Sequence, residues 1–391
     1  MIEKYNEIMR IVYVFPQLAR LAGTERIFID KMNYLADHFG YDVYALTYEQ
    51  GQAPVAYKMS EKVTHVDLAI PLWKLYRYNR VKRLFLHSRL VKQLYKKFED
   101  FVFNTHPDIL IATPYHEIIL DMIIRCPYSV VRIIESHLNK RFSVDNDPII
   151  RGNFFRRIME RYRMHRIEHY VSHFDILVAL NQTDAEDWSK FVKTKVICNM
   201  VHLNEEAVSD LHEKKVIFVG RYTMQKGIPD LFKVWQLVYS RHPDWHLYLY
   251  GEVDEDYDYA CREAHHLGKN IHVNKSTNRI FEKYRESSIF VLTSIYEPFG
   301  LVMPEAMSCG LPVVAFDCPY GPANVISDGE DGFLIKKRDI QSFANHLCLL
   351  IEDEKLRLQM GKKAIASSQK YAADNIMPEW KDLFESLINE L

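Results

Sequence analysis

TSIYEPFGLVMPEAMSCGLPVVAFDCPYGPANVISDGEDGFLI, residues 293–335, is the most informative stretch of this 391-residue chain. An apolar run ending at Ser294 reads as a strand, and the loop after it carries Glu297, Pro298 and Gly300. The spacing then predicts a short helix from about Val302 to Cys309, stopped by Gly310 before the next strand. Pro304 fits the first turn of that helix, where its missing N–H costs little. This arrangement aims the first amides, those of Gly300, Leu301 and Val302, with the helix dipole, at whatever sits above the strand's carboxyl end. Such a site favours an anion such as a diphosphate. Glu297 and Glu305, eight positions apart, are poor ligands for an anion, and carboxylates beside a phosphate site are suited to accept hydrogen bonds from hydroxyls. A sugar and a ribose supply those.

Outward from this stretch, β-branched and aromatic runs alternate with longer helical patterns: RIVYVF (10–15), DVYALT (42–47), DILIAT (108–113), SVVRII (129–134) and DILVAL (175–180). Alternation of this kind means a parallel sheet with helices on both faces. After the polar stretch HLNEEAVSDLHEKK (202–215) the pattern restarts with KVIFVG (215–220), WHLYLY (245–250), IFVLTS (289–294) and PVVAFD (312–317). The expectation is two doubly wound α/β domains: 1–200, a linker at 201–214, and 215–374. A last helix, 375–391, is expected to cross back to the first domain.

Composition is that of an ordinary globular protein, with 48% hydrophobic and 26% charged residues, which excludes disorder and fibrous repeats. The six cysteines are scattered, without CxxC pairs or a Cys/His cluster at zinc spacing, and read as reduced thiols of a cytosolic protein. The start, MIEKYNEIMRIVYVFPQ, lacks the regions of a signal peptide, and no stretch approaches the roughly 18 apolar residues of a membrane span. The chain therefore reads as soluble or resting on a surface. No GxGxxG follows the first strand and no GxxxxGK[ST] occurs, so dinucleotide oxidation and P-loop hydrolysis lose support.

The net charge of −2 conceals an asymmetry: residues 1–200 hold 29 basic and 23 acidic side chains, residues 201–391 hold 21 and 29. PLWKLYRYNRVKRLFLHSRLVKQLYKKF (71–98) carries nine Lys or Arg and no acid, interleaved with Trp73, Tyr76, Tyr78, Phe85 and Tyr95. RGNFFRRIMERYRMHRIEH (151–169) is similar. This is the composition of an interfacial contact with anionic lipid; two ordinary solvated helices would also account for it. Nucleic-acid binding has no accompanying recognition motif.

Two glutamates at this spacing, with FG after the first, EAM at the second and GLPVV following, resemble the signature of the retaining glycosyltransferases of family 4. VGRYTMQKG (219–227) is similar to that family's strand-loop with an Arg and a Lys five residues apart. LAGTER (21–26) resembles the glycine-rich turn after the first strand, keeping only Gly23 of two usual glycines, and Asn199 stands where the family ends its first domain with Asn-Pro. The resemblance implies the GT-B fold, two Rossmann-like domains facing across a cleft. It further implies that Arg221 and Lys226 hold the donor diphosphate, Glu305 the ribose, and Glu297 the donor sugar's hydroxyls. Phe299, Gly300 and Leu301 would line the sugar and phosphate, Gly23 would approach the phosphate, and His137 in RIIESHLNK would sit near the reacting carbon. The implied reaction moves a hexose or N-acetylhexosamine from a nucleotide diphospho-sugar, with a weak leaning to UDP, to a glycan or lipid-linked acceptor in envelope polysaccharide synthesis. It would proceed at the inner face of the cytoplasmic membrane, without a metal or other cofactor. A nucleotide-sugar 2-epimerase of the same architecture and a catalytically silent nucleotide-sugar-binding subunit are the alternatives. Asp254 and Asp256 in GEVDEDYDYA (251–260) form a DxD, read as a solvated acidic loop.

Overall fold

The computed structural model describes residues 8–19, 23–140 and 154–390. Of the segments singled out above, residues 1–7, 21–22, 151–153 and 391 lie outside these. The chain forms two compact units, Met1–Cys198 with Met377–Leu391, and Asn199–Ile376.

The first unit holds a seven-stranded parallel sheet of β1 (Arg10–Phe15), β2 (Asp42–Thr47), β3 (Val63–Asp67), β4 (Ile109–Ala112), β5 (Val131–Ser136), β6 (Ile176–Ala179) and β7 (Thr194–Val196). Its spatial order is β3-β2-β1-β4-β5-β6-β7. Its helices are α1 (Gly23–His38), α2 (Arg80–Thr105), α3 (Glu117–Ile124), α4 (Phe154–Val171) and α5 (Gln182–Trp188). Central strands buried on both faces read as unbroken apolar runs, and Ile11 to Phe15 and Ile109 to Ala112 are buried throughout. Helix α1 covers the sheet with Ile27, Phe28, Lys31, Met32 and Leu35, a stripe at three- and four-residue spacing that includes one lysine. Asn79 caps α2 by accepting a hydrogen bond from the Lys82 amide at 3.0 Å.

The second unit repeats the plan with β8 (Lys215–Val219), β9 (His246–Gly251), β10 (Ile271–Lys275), β11 (Ile289–Leu292), β12 (Val313–Asp317) and β13 (Gly332–Lys336), in the order β10-β9-β8-β11-β12-β13. Its helices are α6 (Ile228–Arg241), α7 (Tyr257–Leu267), α8 (Ile280–Arg285), α9 (Val302–Ser308), α10 (Pro322–Val325), α11 (Ile340–Glu352) and α12 (Glu354–Ser368). The last helix, α13 (Ala373–Asn389), groups with the first unit from Met377 on and buries Met377, Trp380 and Phe384.

Residues 201–214, expected as a linker, lie within the second unit. The Asn204 amide donates to Ser308 Oγ at 2.9 Å, the Ser209 amide to the Cys309 carbonyl at 2.9 Å, and Arg357 Nε to the Leu211 carbonyl at 3.0 Å. Beyond the expected strands, the structure contains β3, β7, β10 and β13. All four are edge strands.

Candidate active site

In an open parallel sheet, ligands bind outside the carboxyl ends of the strands where the strand order reverses. In the second unit that point is the boundary between β8 and β11, which are hydrogen-bonded neighbours. The loop after β8 carries Arg221 and ends in a 3-10 turn at Lys226; the loop after β11 carries Ser294 to Leu301.

The two loops are strapped together. The Ile295 amide donates to the Gln225 carbonyl at 2.7 Å, Thr293 Oγ1 to the Lys226 carbonyl at 3.1 Å, and Gln225 Nε2 to the Tyr296 carbonyl at 3.1 Å. Gly227 makes this approach possible. It has φ +66°, and a Cβ there would lie 2.1 Å from the Thr293 carbonyl oxygen.

The strap brings Lys226 onto Glu297. Lys226 Nζ and Glu297 Oε1 form an ion pair with both side chains largely removed from solvent, and Ser294 Oγ donates to the same oxygen at 2.7 Å. The backbone of Glu297 pairs with Tyr320, and a Cβ on Gly321 would come within 2.8 Å of both the Glu297 Cβ and its carbonyl oxygen, so the carboxylate's base is tightly fixed. Gly300, at φ +83°, makes the turn into α9. Glu305 lies in the first turn of α9, buried, with the Tyr284 hydroxyl 3.3 Å from its Oε2. Phe299 is buried edge-on against Tyr371, with ring centroids 5.2 Å apart, and Leu301 directly precedes α9. The first amides of such a helix have no partner within it.

Arg221 is half exposed, its guanidinium 3.7 Å from Asp254. The first aspartate of the DxD thus faces a cation, and the second, Asp256, directly precedes α7.

In the first unit, Gly23 is the exposed first residue of α1. His137 follows β5 and is buried, its Nε2 3.1 Å from Glu135 Oε2. Glu135 is itself ion-paired with Lys31. Reading the sequence for motifs misses Ser294, Tyr284, Glu135 and Lys31. Only Lys31 leaves a trace, as a lysine within the apolar stripe of α1.

The basic stretches of the first unit are structured and carry exposed apolar side chains. Trp73 stands on a 3-10 turn (Leu72–Arg77), with Tyr78 beyond it and Leu84 and Phe85 on the first turns of α2; Phe155, Ile158, Met159 and Tyr162 are exposed on α4. Arg77 lies 5.3 Å from the Trp73 ring centroid and Lys82 lies 4.6 Å from that of Tyr78. Tyr95 differs from its neighbours in the stretch: it is half-buried, and its hydroxyl donates to Asp121.

Residues 203–367 match the glycosyl transferases group 1 family. The second unit is a group 1 glycosyltransferase domain. The chain is 27% identical over 382 residues to an uncharacterized glycosyltransferase of Haemophilus influenzae, covering 96% of this chain and 99% of the other. It is 31% identical over 172 residues to the amylovoran biosynthesis glycosyltransferase AmsD of Erwinia amylovora. That match covers 44% of this chain and 48% of AmsD, so the chain spans about half the length of that relative. Its fold is similar to that of a TarM variant from S. aureus, crystallised in complex with fondaparinux, alpha-GlcNAc-glycerol and UDP. The TM-score is 0.76 at 16% identity, covering 96% of this chain and 100% of TarM. The two parallel-sheet units are those of the GT-B fold.

Proposed function

We propose that the chain transfers a hexose or N-acetylhexosamine from a UDP-sugar, with retention of configuration, to a lipid-linked sugar acceptor during cell-envelope polysaccharide synthesis. The observation that carries this reading is the Lys226–Glu297 pair at the β8/β11 switch point, in loops of which one also carries Arg221 and the other leads into α9. A cation and a carboxylate held in contact there suit a ligand that is anionic at one end and hydroxylated at the other. When a diphosphate arrives, Lys226 exchanges Glu297 for the phosphate oxygens, and the released carboxylate oxygen accepts from hydroxyls of the donor sugar. Glu305 takes the ribose hydroxyls.

The bond from the anomeric carbon to the diphosphate oxygen breaks, a bond from that carbon to the acceptor oxygen forms, and the acceptor's proton passes to the departing phosphate. Catalysis then lies in stabilising negative charge on the leaving group, which Arg221, Lys226 and the amides of Gly300 and Leu301 are placed to do. Double displacement would need a carboxylate nucleophile on the opposite face of the ring. Glu297, held by Lys226 and Ser294 beside the phosphate site, belongs to the leaving-group side, which favours front-side attack. These cations take the part a divalent ion would otherwise play, so a chelator is expected to leave turnover intact.

The acceptor's lipid carrier is read from the first unit. Exposed Trp73, Phe85, Phe155 and Tyr162 among Lys and Arg suit the interface of an anionic bilayer at the cytoplasmic face. Among the described residues no helix is long and apolar enough to cross a membrane, so the contact would be peripheral.

Release of UDP from UDP-sugars, measured with and without a lipid-linked acceptor, tests the activity. Acceptor-dependent release supports transfer, and a 2-epimerised UDP-sugar formed without any acceptor would replace it by the epimerase reading. Sedimentation with anionic vesicles tests the membrane contact, which salt should weaken; no binding at low ionic strength would remove it.

A further inference from the structure

Away from the β8/β11 switch point, the chain buries a second group of ionisable side chains, in the first unit. Lys31, from the apolar stripe of α1, is ion-paired with Glu135 Oε2 on β5, and both side chains are at most 4% exposed. His137 Nε2 lies 3.1 Å from that same oxygen. The Lys31 ammonium also sits 3.7 Å from the ring centroid of Trp380 on α13. Burying an ion pair costs several kcal/mol of desolvation, and well-packed apolar residues often stabilise a core as much or more. A buried pair that also holds a histidine therefore invites a functional account.

The chemistry of the group fixes where its protons lie. Burial pushes the Glu135 carboxyl up, but Lys31 and His137 outweigh it and hold the group below its usual value. It is a carboxylate, able only to accept. Lys31 and His137, which both meet its Oε2, must then donate, Lys31 through its ammonium and His137 through Nε2–H. Burial pushes His137 below the ordinary histidine value, with Glu135 opposing, so the ring is neutral and its single proton is the one on Nε2. Nδ1 is left as a bare lone pair, buried and without a hydrogen-bond partner among the described residues. A buried acceptor left unpaired costs about 1–3 kcal/mol. The residue that bears this cost sits just beyond the carboxyl end of a parallel strand, the side of such sheets at which ligands bind.

We propose that Lys31 and Glu135 are positioning residues that lock His137 in its Nε2–H form, so that Nδ1 is presented as the acceptor for a hydroxyl of the sugar substrate. The identity of that hydroxyl rests on the glycosyltransferase reading; the tautomer does not. Phe28, whose ring meets that of His137 edge-on at 4.6 Å, limits the ring's rotation. Trp380, capping Lys31, ties the same group to the last helix.

The test uses the full chain labelled with 15N-histidine, the His137 signals being assigned by their loss in His137→Gln. The wild type is expected to show His137 as the Nε2–H tautomer alone near neutral pH. The decisive variant is Lys31→Met with Glu135→Gln, which leaves no unpaired buried charge and whose fold is checked by circular dichroism. Its expected signature is a mixture of His137 tautomers, with kcat for sugar transfer down by about 100-fold while KM for the UDP-sugar stays within about twofold. A merely structural role would lower the melting temperature and leave both the tautomer and kcat alone. An Nδ1–H tautomer in the wild type, or a double variant with wild-type tautomer and kcat, overturns the assignment. If the wild type transfers no sugar at all, the proposed function falls, and the tautomer measurement still decides what Lys31 and Glu135 do.

Discussion

Lys226 and Glu297 come from loops that follow two neighbouring strands, yet meet as an ion pair with only 12% and 5% of their side chains exposed. Ser294 and the paired backbone of Tyr320 fix the carboxylate's place whether or not the lysine is present. The lysine is thus held by a group that does not move to meet it, which suits the proposed exchange of the cation onto a phosphate and back.

Removing one partner of a buried pair leaves an uncompensated charge, at a cost of about 3–5 kcal/mol, whereas removing both is far milder. Lys226→Met is expected to destabilise the second unit by about 3 kcal/mol, the lower end of that range because the lysine keeps some solvent. Adding Glu297→Gln should recover most of the loss, and neither protein should transfer sugar. Urea unfolding of the two variants checks this; equal stability of Lys226→Met and wild type would mean that solvent already screens the pair.

In the sequence, Glu297 stands out in the loop after an apolar strand, whereas Lys226 is reached only through the family resemblance of VGRYTMQKG (219–227). β1, β8, β11 and β12 are largely buried and spell mostly apolar runs, so two parallel sheets could be read from the alternation of such runs with helical patterns, whereas the strand order that makes the switch point is visible only in the structure. The four strands that sequence reading misses, β3, β7, β10 and β13, are all sheet edges. Residues such as Thr64 and His65 in β3 or Asn274 in β10 keep partial access to water and break the apolar run. The linker failed for a related reason: its polar side chains look solvated, but Asn204 and Ser209 bond to the second unit through backbone and hydroxyl groups that leave no pattern in the sequence. Glu135 and Lys31 were hidden because motif reading treats a charge as exposed, and only packing shows that two charges neutralise each other inside.

Glu305 offers a cleaner test of donor binding than Glu297, because the Tyr284 hydroxyl that donates to it is neutral. Glu305→Gln keeps an acceptor for that hydroxyl, so stability should stay within about 1 kcal/mol of wild type. A hydrogen bond to a charged group contributes about 1.5–3 kcal/mol, so losing the carboxylate should weaken UDP by about tenfold to a hundredfold. Calorimetric titration with UDP measures it, and an unchanged Kd would remove the ribose from this side chain.

Gly227 and Gly329 both lie in the left-handed region, at φ +66° and +75°, but only Gly227 is pressed against another chain segment. Gly329→Ala meets nothing within 4 Å and should cost only the backbone strain of about 1–2 kcal/mol. Gly227→Ala adds a collision with the Thr293 carbonyl and should cost more than about 3 kcal/mol. It should also weaken UDP binding, since the strap it disturbs is the one that brings Lys226 to Glu297. Comparing the two variants by chemical unfolding separates the collision from the strain they share; equal losses would show that the loops can part without consequence.

Asp184 should make the stability of the first unit fall as pH rises. Its carboxylate accepts from Ser136 Oγ at 2.7 Å and from the Lys140 amide at 2.8 Å, so it clamps both ends of the segment that contains His137. Burial pushes its pKa up to about 6 despite these bonds, against about 3.9 in an unfolded chain. Between those values the folded state holds a proton that the unfolded state has released, so stability is greatest below about pH 4 for this group and is lost as pH rises through 6. The loss amounts to about 2–3 kcal/mol. Asp184→Asn, which cannot ionise, should abolish this slope and leave the unit more stable than wild type at neutral pH. Hydrogen exchange at the amides of β5 and β6, followed at pH 4.5 and pH 7 in both proteins, reads the effect where it arises. A wild-type unit whose protection holds steady or grows across that interval would mean that Ser136 and Lys140 stabilise the ionised carboxylate enough to cancel its burial.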